Sequence, residues 1–163
     1  MEKKEEILEN FKTAISSTVR SISDKENIEV IFGTKKSKND KKTIFLPKIE
    51  NIKDKIEYIK TRAVADSEAL KIKYSDKEIL DTHAPTGEIS NKLYIASERI
   101  RCENIGSINF KGIKSNIDLL YDEKFKNFET IKGEEKFIQS FEYYLRVNIF
   151  GGKKNKSLER NLK

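Results

Sequence analysis

Five stretches of the chain carry apolar residues at steps of three and four, the spacing that places them on one face of an α-helix. These stretches are residues 3–23, 50–73, 86–104, 113–120 and 134–149. A short segment over 75–82 precedes the break at Ala84–Pro85, where proline disfavours helix at the residue before it. The pattern therefore predicts a mainly α domain of about six helices.

Glycines mark the predicted ends of two of these helices, because glycine is the usual residue just past a helix C-terminus. Gly106 follows the third stretch, and Gly151 and Gly152 follow the last one. Residues 121–133 have no clear period. We expect their large apolar side chains to fold onto the core.

Two short β-branched and aromatic runs interrupt the helical pattern. IEVIF at 28–32 is followed by Gly33, and TIFL at 43–46 is followed by Pro47. Such residues favour strands, and glycine and proline commonly bound them. Because a polar loop separates the two runs, we expect one small β-hairpin near residues 28–47, with its tip at 34–42.

Length and composition exclude several classes of protein. The 163 residues are 36% hydrophobic, which is enough for the core of one domain. A single Cys cannot form a disulfide within the chain. No apolar run approaches the roughly 20 residues of a transmembrane helix, and the charged N-terminus lacks the apolar stretch of a signal peptide. We expect a cytoplasmic helical domain over residues 1–152.

The net charge of +6 is unevenly distributed along the sequence. Residues 35–42 and 151–163 each contribute a net +4, so the rest of the chain carries a net charge of −2. Both basic segments are rich in Asn, Ser or Gly and lack apolar periodicity, which is typical of a solvated loop and tail. We therefore predict a basic flexible tail over 153–163. Neither segment interleaves aromatic residues that could stack on bases.

The usual signatures of catalytic and metal sites are missing from the sequence. It has no glycine-rich phosphate loop and no nucleophile elbow. His83 and Cys102 stand alone, so no zinc-binding pair is present. By these criteria the chain alone is a poor candidate for an enzyme, and whether it has an activity of its own stays open.

Several charged residues between 61 and 112 have helical spacing. Arg62 and Asp66 are four apart, the separation of a local ion pair. Glu98 and Arg101 are three apart and can face each other, as can Arg99 and Glu103. Taken alone, these are ordinary surface ion pairs, each contributing under ~1 kcal/mol.

The order of these segments resembles the N-terminal domain of the CobT subunit of aerobic, ATP-dependent cobaltochelatase. The resemblance covers about residues 11–152 and is strongest over HAPTGEISNKLYIASERIRCENIG. TRAVADSEAL and GIKSNI are also similar to segments of that family. Members of the family continue into an acidic linker and a von Willebrand factor A-type domain. We therefore expect this chain to be an N-terminal fragment or a short relative.

The resemblance implies a non-catalytic assembly or coupling domain. In the family, the complex inserts cobalt into hydrogenobyrinic acid a,c-diamide during cobalamin biosynthesis. The implied partners are an AAA+ ATPase subunit and a large corrin-binding subunit. ATP, magnesium and cobalt would belong to the whole complex, with no cofactor in this chain. The residues we select are Arg62, Asp66, Glu98, Arg101 and Glu103. An arginine there suits a bidentate carboxylate, either inside the fold or on the AAA+ subunit.

Two other functions remain open. A nucleic-acid-binding helical domain would use the two lysine-rich segments and would lose affinity steeply with salt. An adaptor of an AAA+ and von Willebrand-type remodelling machine would keep the AAA+ partner without cobalamin. We expect neither nucleic-acid nor membrane binding, and we leave oligomerisation open.

Overall fold

The computed structural model describes residues 2–33, 43–49 and 55–152, together with Lys154 and Glu159. In this part of the chain there are six α-helices and two short strands. The helices are α1 (Glu2–Ser23), α2 (Lys55–Tyr74), α3 (Lys77–Thr82), α4 (Glu88–Asn109), α5 (Lys111–Phe125) and α6 (Gly133–Tyr144). The strands are β1 (Glu29–Phe32) and β2 (Thr43–Leu46). The predicted mainly α class with about six helices is confirmed.

The two strands pair in parallel, with Glu29 opposite Thr43 and Phe32 opposite Leu46. The predicted hairpin is therefore wrong, because a hairpin joins antiparallel strands. Ten residues separate the strands, more than the 2–5 of common hairpin loops. A connection of that length can cover the roughly 13 Å of a four-residue strand, which is the distance that the chain must return before a parallel strand begins. Ile44 and Leu46 enter the core, at 4% and 1% exposure.

Helix α2 is the centre of the fold and packs against α1, α4, α5 and β2. Its buried residues go around the helix instead of forming one stripe: Thr61, Ala63, Ala65, Asp66, Ser67, Ala69 and Leu70. Small side chains at most of these positions let neighbouring helices approach closely. A helix surrounded in this way shows only weak amphipathic periodicity.

The end predicted for the helix over 86–104 is wrong. Helix α4 continues through Gly106 to Asn109, and Gly106 is buried against Leu70 of α2. A Cβ at Gly106 would lie 2.9 Å from Leu70 Cγ and closer still to both methyl groups. Glycine is therefore required here by close helix packing.

The end of the last helix agrees with the prediction that glycines terminate it. After α6 the chain makes a π-helical turn over Leu145–Ile149 and then ends its helix at Gly151, which has a φ of +66°. The Gly152 N–H donates to the Arg146 carbonyl across 2.6 Å. Both glycines thus act as helix-terminating residues.

The core is a single cluster to which all the long helices contribute. Phe125 and Phe128 are 6% and 2% exposed, which confirms that the region without clear period folds onto the core. None of the helices in the described part has the length and apolarity needed to cross a membrane. The lysine-rich segment at 35–42 lies outside the described residues, as does the predicted tail over 153–163 apart from Lys154 and Glu159. Both stay predictions.

Candidate functional site

The five residues selected from the sequence lie in three separate environments. Arg62 and Asp66 lie on α2 beside the start of α5. Glu98 and Arg101 lie on α4 next to the end of α2. Glu103 is buried between α4 and α2. The structure therefore separates residues that the sequence grouped together.

Asp66 is bound by an asparagine of another helix. Its side chain is 1% exposed, and Asn116 Nδ2 on α5 donates to Asp66 Oδ2 across 2.8 Å. Burial raises the pKa of Asp66, while the Asn116 hydrogen bond and the charge of Arg62 oppose that rise. The predicted direct ion pair between Arg62 and Asp66 is absent from the described contacts. The attraction between them acts at longer range.

Arg62 lines a pocket of about 500 Å³ between α1, α2 and α5. Asp66, Gly112 and Asn116 line the same pocket, so segments that carry the family resemblance converge here. Within the described residues, Arg62 is half-buried and makes no hydrogen bond or direct ion pair. Its guanidinium can therefore donate hydrogen bonds to a carboxylate from outside the fold.

The predicted Glu98–Arg101 pair is present and bidentate. Arg101 Nε donates to Glu98 Oε2 across 2.7 Å, and Arg101 Nη2 donates to Glu98 Oε1 across 2.8 Å. The same Nη2 donates to the Tyr74 carbonyl across 2.6 Å. The Arg101 hydrogen bonds lower the pKa of Glu98. Arg101 thus binds a carbonyl at the C-terminus of α2 and ties that end to α4.

Glu103 forms the centre of a buried polar network. Ser67 Oγ on α2 donates to Glu103 Oε1 across 2.6 Å, and Arg146 Nη1 lies 3.6 Å from Glu103 Oε2. Burial raises the pKa of Glu103, opposed by Ser67 and by the charges of Arg99 and Arg146. Because Glu103 is 1% exposed, it acts inside the fold.

Arg99 does not bind Glu103 directly, contrary to the spacing argument. Its guanidinium bonds Glu142 on α6, and Lys124 on α5 bonds the other oxygen of the same carboxylate. Glu142 is 1% exposed and is compensated by these two cations. The preference for Glu142 leaves Arg99 with only a longer-range attraction to Glu103.

Arg146 connects this network to α5. Its Cζ lies 3.8 Å above the Tyr121 ring, and its Nη2 donates to Asp118 Oδ1 across 2.9 Å. Burial raises the pKa of Tyr121 above its ordinary value. The planar guanidinium can stack and bind two carboxylates at once, which an ammonium cannot do. Arg146 is not among the residues selected from the sequence.

Ser67, Tyr121, Lys124 and Glu142 were missed by sequence reasoning. One signal was available for Glu142, which lies four positions after Ile138 on the apolar face of the last helix. A carboxylate on such a face requires a buried cation. Ser67 and Tyr121 carry no comparable signal, because their partners are remote in sequence.

A smaller pocket of about 280 Å³ lies beside the network and is lined by Lys60, Ser67, Arg99, Glu103 and Lys124 among others. Arg99 Nε and Glu103 Oε2 are inaccessible and have no hydrogen-bond partner within the described part of the chain. The described residues contain no group of three or more His, Cys, Asp or Glu placed to hold a metal ion. Cys102 is buried, and burial raises its pKa to about 11, which disfavours the reactive thiolate.

One protein-family model matches residues 5–141 of the chain, and its description is cobalamin biosynthesis protein CobT. The match includes the Arg62 pocket and Glu103, and it ends before Arg146. No solved structure gives a significant match.

Proposed function

Since this chain belongs to the family of cobalamin biosynthesis protein CobT, we propose that it is a non-catalytic assembly and coupling domain of a cobaltochelatase. Membership in the family places the chain in cobalamin biosynthesis. The proposed role is to link an AAA+ ATPase subunit to a large corrin-binding subunit. Cobalt insertion into hydrogenobyrinic acid a,c-diamide takes place on the assembled complex.

The observation that carries this proposal is the contrast between Arg62 and the other selected charges. Arg101 is held by Glu98 and by a backbone carbonyl, and Glu103 is enclosed by Ser67 and Arg146. These contacts are within the fold and fix the helices relative to each other. Arg62 faces an open pocket without a direct partner among the described residues. An arginine in this position supports a role in protein contacts.

In this proposal, ATP, magnesium and cobalt are bound by the assembled complex, and this chain holds no cofactor. ATP hydrolysis belongs to the AAA+ subunit, and the corrin belongs to the large subunit. The chain transmits movement between them through side-chain contacts on its helices. A rigid helical domain suits that task, because partly buried charge pairs such as Arg146–Asp118 hold its helices in one arrangement.

Reconstitution tests this function. The full chain is mixed with the purified AAA+ subunit and the large subunit from the same organism, and complexes are separated by size-exclusion chromatography. We expect the chain to co-elute with the AAA+ subunit and to be needed for ATP-dependent cobalt insertion. Insertion is followed by the change in the corrin absorption spectrum.

Two results would contradict the proposal. Failure of the chain to associate with either subunit at low and physiological salt would exclude an assembly role. Full cobalt insertion without the chain would exclude a coupling role. If the chain bound the AAA+ subunit and did not affect insertion, the remodelling adaptor would replace the chelatase role.

A further inference from the structure

We propose that the pocket between α1, α2 and α5 receives an acidic segment of a partner protein, with a carboxylate on Arg62 and a neighbouring apolar side chain against Tyr58 and Phe110. The inference rests on the proposed assembly role, because it names the docking surface and the chemistry of the segment. We take the AAA+ subunit as that partner because the proposed function gives it to this chain, and we argue the chemistry of its segment from the pocket.

Arg62 is the residue of the pocket that would bind the carboxylate. Asp66 is the nearest acidic residue on the same helix, and its carboxylate already accepts a hydrogen bond from Asn116. Arg62 makes no direct bond within the described residues and is half-buried. A partly desolvated guanidinium binds a carboxylate in bidentate geometry more strongly than an exposed lysine does.

Two aromatic rings at the pocket would contact the apolar side chain. Tyr58 and Phe110 are each 38% exposed, a large fraction for such side chains. Tyr58 stacks on Phe11 of α1 with ring centroids 4.3 Å apart, so its position is fixed before any partner binds. Rigid aromatic surfaces beside an arginine have the composition found in the energetically dominant parts of protein interfaces.

The pocket is also large enough to receive side chains of a bound segment. Its volume of about 500 Å³ lies within the usual range of roughly 300–1,000 Å³ for ligand pockets. A Cβ placed on Gly112 would contact nothing within 4 Å, so neither close packing nor a positive φ requires glycine there. Helix α5 starts beside it without a side-chain cap, which adds a partial positive charge to that of Arg62.

The docking test uses three variants of the full chain. Arg62→Gln removes the guanidinium, and Gly112→Leu adds a branched side chain at the pocket from a position where a Cβ meets nothing within 4 Å. Lys77→Gln is the matched control, because Lys77 is exposed on α3 and does not line the pocket. Affinity for the purified AAA+ subunit is measured by calorimetry. Circular dichroism melting of each variant verifies folding.

We expect Arg62→Gln and Gly112→Leu each to weaken binding about tenfold or more, with no change for Lys77→Gln. Equal affinity of all four proteins would overturn the docking site while leaving the assembly role intact. If the wild-type chain did not bind the AAA+ subunit, the assembly role would fail and this inference with it. Loss of self-association alone in Arg62→Gln would identify a second copy as the occupant and overturn the choice of partner.

Photo-crosslinking identifies the segment itself. Benzoylphenylalanine replaces Phe110, the complex with the AAA+ subunit is irradiated, and the attached peptide is sequenced by mass spectrometry. We expect a peptide with Asp or Glu next to an aliphatic or aromatic residue. A captured segment that is neutral or basic would overturn the proposed chemistry, even if binding depended on the pocket.

Discussion

Ser67 on α2 and Glu103 on α4 form a buried hydrogen bond of 2.6 Å between two helices that cross in the core. Both side chains are nearly inaccessible, at 6% and 1% exposure. Bulk water cannot hydrate a carboxylate as buried as that of Glu103, so the serine hydroxyl supplies a hydrogen bond that the carboxylate needs. This bond links the central helix to the helix with the strongest family resemblance.

The first prediction concerns the loss of that bond. Ser67→Ala should lower the free energy of unfolding by about 1–3 kcal/mol, because it leaves a buried carboxylate oxygen without its donor. Urea denaturation followed by circular dichroism measures the change. Ser140→Ala is the control: Ser140 donates only to a carbonyl of its own helix, across 2.7 Å, and its removal should change stability by no more than about 0.5 kcal/mol. Equal effects of the two variants would contradict a special role for Ser67.

The second prediction compares two cations that bind one carboxylate. Asp118 accepts from Arg146 across 2.9 Å and from Lys114 across 2.8 Å. The Arg146 side chain is 13% exposed, whereas that of Lys114 is 53% exposed. Arg146→Ala should cost about 3 kcal/mol, because it also leaves Glu103 without its nearest cation. Lys114→Ala should cost less than about 1 kcal/mol. Denaturation curves that give similar losses would contradict the buried network.

The third prediction uses the opposite pKa shifts of two glutamates on α4. Burial raises the pKa of Glu103 above 4.5, so the folded state holds the proton more tightly than the unfolded state. Its ionisation therefore costs stability as pH rises from about 4.5 through the higher folded pKa. We expect the stability of Glu103→Gln relative to the wild type to increase over that interval.

Glu98 supplies the contrasting case for the same measurement. The Arg101 hydrogen bonds lower the pKa of Glu98 below 4.5, so its contribution is present above that pH and is lost as pH falls through the lower folded pKa. The wild type should therefore lose its advantage over Glu98→Gln in acid. Urea denaturation at a series of pH values measures both differences. Parallel slopes for the two variants would contradict the environments assigned to these carboxylates.

The sequence was informative about the helices and about local pairs. The apolar periodicity located all the long helices, with ends up to about five residues away from the observed ones. Glu98–Arg101 was found because partners three apart meet on any helix. The sequence did not predict contacts between segments that are remote along the chain. Ser67 lies 36 positions from Glu103, and no local spacing connects them. The same limit hid Asn116 of α5, which is the residue that donates a hydrogen bond to Asp66.

The errors in strand direction and in the end of α4 both arise because the local sequence pattern is compatible with two structures. A loop of ten residues permits either direction of the second strand, and the choice depends on how Ile44 and Leu46 reach the core. A glycine after an apolar helical run is typical of a helix end and also of close helix packing. Only the position of Leu70 against Gly106 distinguishes the two.

The last prediction tests that close approach of α2 and α4. Gly106→Ala should destabilise the chain by about 1–3 kcal/mol, because the added methyl group would overlap the Leu70 side chain and force the helices apart. The control is Gly112→Ala, where the methyl group would meet nothing within 4 Å. Alanine there should be neutral or should stabilise by about 0.4–1 kcal/mol, since it restricts the unfolded chain. Thermal and urea denaturation measure both variants. If Gly106→Ala were as stable as the wild type, glycine at this position would not be required by packing against Leu70.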